Sequence, residues 1–142
     1  MDVIDSLVAA RLEALGVLFT ATYVTKTYDD RDWEHFLWRV TFERVNGKCA
    51  RLDTDYRCGV GFVQPGKKKP LAPTAAAVLH SLLMDGGALD QSFSDWCGGC
   101  GYDEDSRKAL ATYEACCTIG HKLRKLFSVG ERAELSKLLE DY

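Results

Sequence analysis

The sequence predicts an α+β domain: an N-terminal helix, a three-stranded antiparallel β-meander, then a C-terminal cluster of about four α-helices. Two observations lead to this class. Strand-like alternation of apolar and polar residues is confined to the first half of the chain, and helical spacing of apolar residues fills the second half. With 142 residues, we expect one domain, 1–142, made of a helix-plus-sheet half, 1–62, and a helical half, 73–142.

The first half contains one helix and three strands. Val3–Leu15 has apolar residues at helical spacing, and Gly16 is the expected stop. Val17–Lys26 is rich in β-branched and aromatic residues and predicts the first strand. Trp33–Val45 alternates and is followed by Asn46-Gly47, the strongest short hairpin signal. The predicted apolar face of the second and third strands consists of Phe36, Trp38, Val40, Phe42, Ala50, Leu52, Thr54 and Tyr56.

After a loop rich in glycine and proline, Gly59–Pro73, the chain is predicted to be helical. Thr74–Met84 forms the first of these helices and ends at Gly86-Gly87. The final helix opens with a capping-box pattern, Ser128–Glu131, and includes Leu139.

Two more helices are predicted between these. Ser92 is the expected cap of the shorter one, and Asp103 or Asp105 is the expected cap of a long helix that reaches Phe127. The apolar face of the long helix is predicted to comprise Ala109, Tyr113, Cys116, Gly120, Leu123 and Phe127.

Composition narrows the class of protein. The net charge of −3 argues against a dedicated nucleic-acid binder, since such proteins are usually basic. No apolar run approaches the roughly 20 residues that cross a bilayer, and the acidic start of the chain differs from a signal peptide. These features predict a cytoplasmic protein without membrane contact, in which the six cysteines are thiols or metal ligands rather than disulfides.

The cysteines allow two chemical interpretations. Trp96-Cys97-Gly98-Gly99-Cys100 resembles the thioredoxin redox motif, but it follows a predicted helix rather than an early strand. The alternative is a small zinc-stabilised binding module, with Cys97, Cys100, Cys117 and His121 as a ligand set of acceptable type and rough spacing. The favoured prediction is nevertheless no cofactor, with most of the cysteines as small buried hydrophobes.

No catalytic constellation is evident, because the three histidines are isolated and the carboxylate runs are typical of turns and caps. The sequence therefore predicts no enzyme. Basic residues concentrate in two segments, Lys67–Lys69 and Lys122–Lys125. Together with Arg57 they form the basis of an alternative function as an accessory nucleic-acid-binding protein.

Three segments carry a family resemblance: Gly66–Asp85, Ser92–Cys97 and Gly101–Ala109, the last reading G-Y-D-E-D-S-R-K-A. The chain resembles a widespread family of small tailed-bacteriophage proteins encoded among early or accessory genes. The family pattern does not require Cys100, and the family has no assigned activity. Small early phage proteins commonly bind and block host components. The resemblance thus implies a non-enzymatic inhibitor of a host protein or ribonucleoprotein, such as a CRISPR or other defence complex, in the bacterial cytoplasm. For the nucleic-acid alternative, it implies an accessory role in phage replication or recombination.

Candidate partner-binding residues are the lysine triplet and the polar residues of the third segment: Lys67, Lys68, Lys69, Tyr102, Asp103, Asp105, Arg107 and Lys108. A structural role is the alternative for the third segment. In that interpretation it braces two helices: Asp105 and Ser106 offer side-chain oxygens to the free N–H groups at the start of the long helix, and Arg107 and Lys108 pair back to the preceding acids. Base rates for soluble proteins leave both a monomer and a homodimer open.

Overall fold

The computed structural model describes residues 3–45, 50–58 and 71–142. The predicted α+β class is confirmed: a helix and a three-stranded antiparallel sheet precede the remaining helices. In chain order the elements are α1 (Val3–Ala14), β1 (Val17–Tyr28), β2 (Glu34–Arg44), β3 (Ala50–Cys58), α2 (Ala75–Gly86), α3 (Phe93–Cys100), α4 (Arg107–Leu126) and α5 (Val129–Leu138). A short 3-10 helix, Gly87–Asp90, follows α2 and was not predicted.

The chain divides into two compact units, residues 1–78 and 79–142. The first contains α1 and the sheet, and the second contains α3, α4 and α5. The division lies inside α2, whereas the sequence suggested halves separated by the loop around the lysines. Single-domain behaviour in solution stays a prediction.

The sheet has the order β1-β2-β3, with both neighbouring pairs antiparallel. Alternation along β2 predicted its buried face correctly, since Phe36, Trp38, Val40 and Phe42 are all at most 6% exposed. Leu52 of β3 lies opposite Phe42 and is also buried. The predicted hairpin residues Asn46-Gly47 lie outside the described residues.

The register of β1 against β2 contains a bulge. Tyr23 lies opposite Trp38, whereas Thr25 lies opposite Leu37, so Val24 is the extra residue. Residues after the bulge change face, because one inserted residue reverses the alternation of a strand. Pairing with β2 resumes after the bulge, and β1 continues to Tyr28, two residues beyond its predicted end.

Gly16 ends α1 as predicted. Its φ of +72° is a left-handed conformation that glycine adopts without a steric penalty. The Val45 N–H donates to the Gly16 carbonyl at 3.0 Å, so the turn is joined to the end of β2. The glycine thus sets the point at which the chain leaves the helix and enters the sheet.

Caps define three of the later helices. Ser92 accepts from the Asp95 N–H, and Ser128 forms the predicted capping box with Glu131. Of the residues expected to cap α4, Ser106 does so by accepting from the Ala109 N–H, whereas Asp103 and Asp105 do not cap this helix. The Asp103 side chain instead accepts from the Asp105 N–H at 3.0 Å, which forms a turn before the helix begins.

In the second unit α4 packs closely against the 3-10 helix and the end of α2. The predicted apolar face of α4 includes Ala109, Gly120 and Leu123, which are buried, and Tyr113 and Cys116, which are half-buried. The structure adds Leu126 to this buried set. No helix in the described ranges is both long and apolar enough to cross a membrane.

Candidate functional site

Four aromatic rings from α3, α4 and the turn between them form a cluster in the second unit. Tyr102 stacks on Trp96, with ring centroids 5.2 Å apart and planes only 7° from parallel. Phe93 and Tyr113 each lie within 6.4 Å of Trp96, measured between ring centroids. Trp96 is buried, whereas Tyr102 remains 37% exposed. The Tyr102 ring is therefore exposed to solvent on one side and stacks on the buried Trp96 ring on the other.

The backbone on both sides of Tyr102 is held by hydrogen bonds. Gly101 ends α3 with a φ of +76°, and the Tyr102 N–H donates to the Cys97 carbonyl at 3.0 Å. The Ser106 N–H donates to the Asp103 carbonyl, and the Ser94 hydroxyl donates to Glu104. These bonds connect the turn to the helices on either side, as the brace interpretation requires.

The charged side chains of this turn differ from the expectation in one respect. Asp103, Asp105, Arg107 and Lys108 are all exposed. The predicted pairing of Arg107 and Lys108 back to the acids was wrong, because no ion pair among the described residues joins them. The Asp103 carboxylate turns instead to the backbone N–H of Asp105.

The positions of Arg107 and Lys108 do not favour the stability of α4. Arg107 and Lys108 occupy the first turn of α4, which contains no acidic residue. Cations near a helix N-terminus are unfavourable, by about 0.3–1 kcal/mol each at exposed positions. We call the exposed set Tyr102, Asp103, Asp105, Arg107 and Lys108 the aromatic turn.

The predicted lysines at positions 67–69 lie outside the described residues. Of the other basic residues, Arg57 is exposed on β3 in the first unit, and Lys125 is exposed near the end of α4 in the second. Arg124 forms an ion pair with Asp90 at 2.7 Å, which offsets part of the positive charge on α4.

The thioredoxin-like interpretation requires an accessible, reactive first cysteine, and the structure contradicts this for Cys97. Cys97 lies in the middle of α3, is 1% exposed, and packs with Trp96 and Ala109. Burial, and then the nearby Glu104 carboxylate, raise the pKa of the Cys97 thiol. A nucleophilic cysteine of that class needs a lowered pKa. Cys97 is thus a core residue, whereas Cys100 is exposed at the helix end.

The alternative zinc ligands are not gathered into one site. Cys97 is one of the buried residues that pack around Trp96, and Cys117 packs against this group. Cys100 and His121 are exposed. Within the described ranges, which include all four residues, no three His, Cys, Asp or Glu side chains form a group suited to a metal ion. Cys116 is held among the same apolar side chains, and burial raises the pKa of its thiol to about 11.

A His–Asp pair occurs at the turn between β1 and β2. His35 Nε2 lies 3.0 Å from Asp29 Oδ2, and Asp29 Oδ1 accepts from the Arg31 and Trp33 N–H groups. The pair therefore closes a turn, in agreement with the interpretation of this carboxylate run. Thr27 lies opposite His35, but its buried hydroxyl has no hydrogen-bond partner among the described residues.

Comparison with protein-family models, with curated proteins and with solved structures found no match to this chain. Function is therefore inferred from the residues of this chain. Among the sites predicted from sequence, the structure brings together those of the aromatic turn. The support of Tyr102 by Trp96 was not predicted, although the spacing of Phe93 and Trp96 on one helix face was a usable signal.

Proposed function

We propose that this chain is a phage-encoded, non-enzymatic protein that uses the aromatic turn to bind and inhibit a host protein or ribonucleoprotein. A CRISPR effector or another anti-phage defence complex is the proposed class of target. The resemblance of the Gly101–Ala109 segment to small phage proteins supports the origin. The geometry of the aromatic turn supports the mode of action.

The exposed, stacked ring of Tyr102 is the observation that carries this proposal. Interface hot spots are enriched in tyrosine, tryptophan and arginine, and the aromatic turn contains an exposed tyrosine and an exposed arginine. Stacking on Trp96 fixes the Tyr102 ring before a partner arrives. Binding then costs less side-chain entropy, since an immobilised side chain typically loses about 0.5–1.5 kcal/mol on association.

The charges around Tyr102 support a protein partner over a nucleic acid. Asp103 and Asp105 would repel phosphates, whereas exposed charges of both signs suit a protein surface with a complementary pattern. Arg107 and Lys108 also stand where helix stability disfavours them, which is expected of residues kept for recognition.

Affinity capture from the lysate of a phage-sensitive bacterium tests the proposal, with bound proteins quantified by mass spectrometry at low and high salt. We expect one stoichiometric partner to survive high salt. Tyr102→Ala should reduce its capture about 30-fold, since hot-spot truncations cost at least about 2 kcal/mol. The charge reversal Arg107→Glu/Lys108→Glu should abolish capture.

Lys125→Glu is the matched control, because Lys125 is an exposed lysine of α4 outside the aromatic turn. Its capture of the partner should equal that of the wild type. Loss of capture in Lys125→Glu alone, with recovery of nucleic acid that disappears at high salt, would favour the nucleic-acid alternative. Unchanged capture in both variants of the aromatic turn would overturn the proposal.

Inhibition is tested separately in cells. A phage targeted by the host defence system should form plaques on cells that express the wild-type chain, but not on cells that express Tyr102→Ala at the same level. Equal plaque numbers with and without the wild-type chain, across hosts with different defence systems, would contradict the inhibitory role.

A further inference from the structure

A groove runs along one face of α5 in the second unit, and the proposed function does not use it. Three cavities of about 240, 210 and 600 Å³ lie against this face. The first and second share Leu83 and Ser136 as wall residues, and the second and third share Val129 and Arg132. The three cavities are therefore parts of one open groove, which we call the α5 groove.

The walls of the α5 groove come from one face of each of two helices. The lining residues follow the spacing i, i+3, i+4 on α2 and continue to i+7 on α5, as on a single helix face. They are His80, Leu83 and Met84 of α2, and Val129, Arg132, Ala133 and Ser136 of α5. Because α5 rises about 10 Å over these positions, the groove matches about three residues of an extended chain.

Apolar side chains are exposed at both ends of the α5 groove. Met84 is 70% exposed at one end, and Val129 is 74% exposed at the other. Between them lie Leu83, which is half-buried, and Gly87, where a Cβ would meet nothing within 4 Å. Methionine has an unbranched, adaptable side chain that suits a surface on which a partner chain packs. The groove therefore has apolar contacts to offer and room for another chain.

Arg132 brings an unmatched positive charge into the groove. It is half-buried and lines two of the three cavities, and its buried Nε has no hydrogen-bond partner among the described residues. Asp90 lines the same two cavities, but its carboxylate is engaged by Arg124 at 2.7 Å. Charges withdrawn from water are usually paired. Arg132 thus lacks a counter-charge that a bound carboxylate would supply.

We propose that the α5 groove binds a short extended peptide segment of another protein, in which one acidic side chain pairs with Arg132. An apolar side chain of the same segment packs against Leu83 and Met84. Arginine pairs with a carboxylate through charge-assisted hydrogen bonds, which are stronger than neutral ones. The carboxylate belongs at the Arg132 end, because Glu140 lines the opposite end and would repel it there.

Selection from a random heptapeptide display library, with the full chain as bait, tests this proposal. We expect the enriched peptides to share an aspartate or glutamate close to an apolar residue. A selected peptide is then labelled with fluorescein and titrated by fluorescence polarisation. Replacing its acidic residue by the corresponding amide should weaken binding roughly tenfold, through loss of one charge-assisted hydrogen bond. No enrichment, or enrichment of peptides without an acidic residue, would overturn the proposal.

Variants of the chain locate the bound peptide. Arg132→Gln should weaken binding of the acidic peptide roughly tenfold and leave its amide analogue nearly unchanged, whereas Lys137→Gln, at an exposed cation of α5 outside the groove, should bind like the wild type. Ser136→Phe obstructs the groove and should abolish binding of both peptides. Tyr102→Ala should bind both normally, so the result is independent of the proposed function. Circular dichroism verifies that each variant is folded. Unchanged binding of the acidic peptide in either groove variant, or its loss in Tyr102→Ala, would show that the peptide lies elsewhere.

Discussion

Replacing Gly120 of α4 with alanine probes a close approach between two segments of the second unit. A Cβ at this position would lie 2.7 Å from Cγ and Cδ1 of Leu89 and 3.0 Å from the Gly86 carbonyl oxygen. Carbon atoms at their best separation are about 3.5–4.0 Å apart. The leucine has to change rotamer, and the carbonyl belongs to a helix backbone that has no such freedom.

The expected loss follows from two opposing effects. Overpacking a core usually costs about 1–3 kcal/mol, and the contact with a backbone atom places this site in the upper half of that range. Replacing glycine by alanine within a helix returns about 0.8–1.0 kcal/mol. We therefore expect Gly120→Ala to lower the free energy of unfolding by about 1–2 kcal/mol.

Urea unfolding followed by far-UV circular dichroism measures this loss. The matched control is Gly99→Ala in α3, where a Cβ would meet nothing within 4 Å. It should be neutral or stabilising by up to about 1 kcal/mol. The double variant Gly120→Ala/Leu89→Ala should recover part of the loss, because the residues are in contact. If Gly120→Ala is as stable as Gly99→Ala, the close approach is absent and the reasoning fails.

Three further predictions concern a cap, a pH dependence and the thiols. Ser128→Ala should destabilise by about 0.5–2 kcal/mol in urea unfolding, whereas Ser136→Ala within the same helix should be nearly neutral; equal effects would deny the capping box. The hydrogen bond from His35, and after it the backbone N–H groups, lower the pKa of Asp29 below its ordinary value of 3.8. The stability that ionised Asp29 contributes to the folded state is therefore fully present above pH 3.8 and is lost as the pH falls further. Asp29→Asn should therefore show a smaller loss of stability than the wild type as pH falls below 3.8, measured as urea midpoints, and parallel profiles would contradict this. Iodoacetamide should modify Cys100 in the folded chain and reach Cys97 only in urea; peptide mass spectrometry that finds equal rates would refute the burial of Cys97.

Features that depend on neighbouring residues in the sequence were predictable. The face of β2 followed from alternation, and the end of α1 followed from Gly16, because only glycine takes that backbone conformation without cost. Ser92 and the Ser128 capping box were recognised for the same reason, since each cap acts within one helical turn.

Features that depend on distant residues were not predictable. The contact of Gly120 with Leu89 joins segments far apart in the chain, and neither residue has a local pattern that reveals it. The pairing expected for Arg107 and Lys108 is absent: the Asp103 carboxylate accepts from the Asp105 N–H, and the Glu104 carboxylate accepts from Ser94 of the preceding helix. The hydrogen bond from the Thr74 hydroxyl to Asp5 likewise joins residues that are 69 positions apart.

The bulge at Val24 affects how the sheet meets other protein molecules. After the change of face, Lys26 lies opposite Phe36, on the side of the sheet that carries the core, and forms a 3.0 Å ion pair with Glu34. A foreign strand that paired with this end of β1 would have to bury that charge. Inward-pointing charges and bulges are devices by which natural edge strands resist aggregation. One inserted residue thus interrupts the regular edge and places a lysine where an intermolecular sheet would otherwise begin to grow.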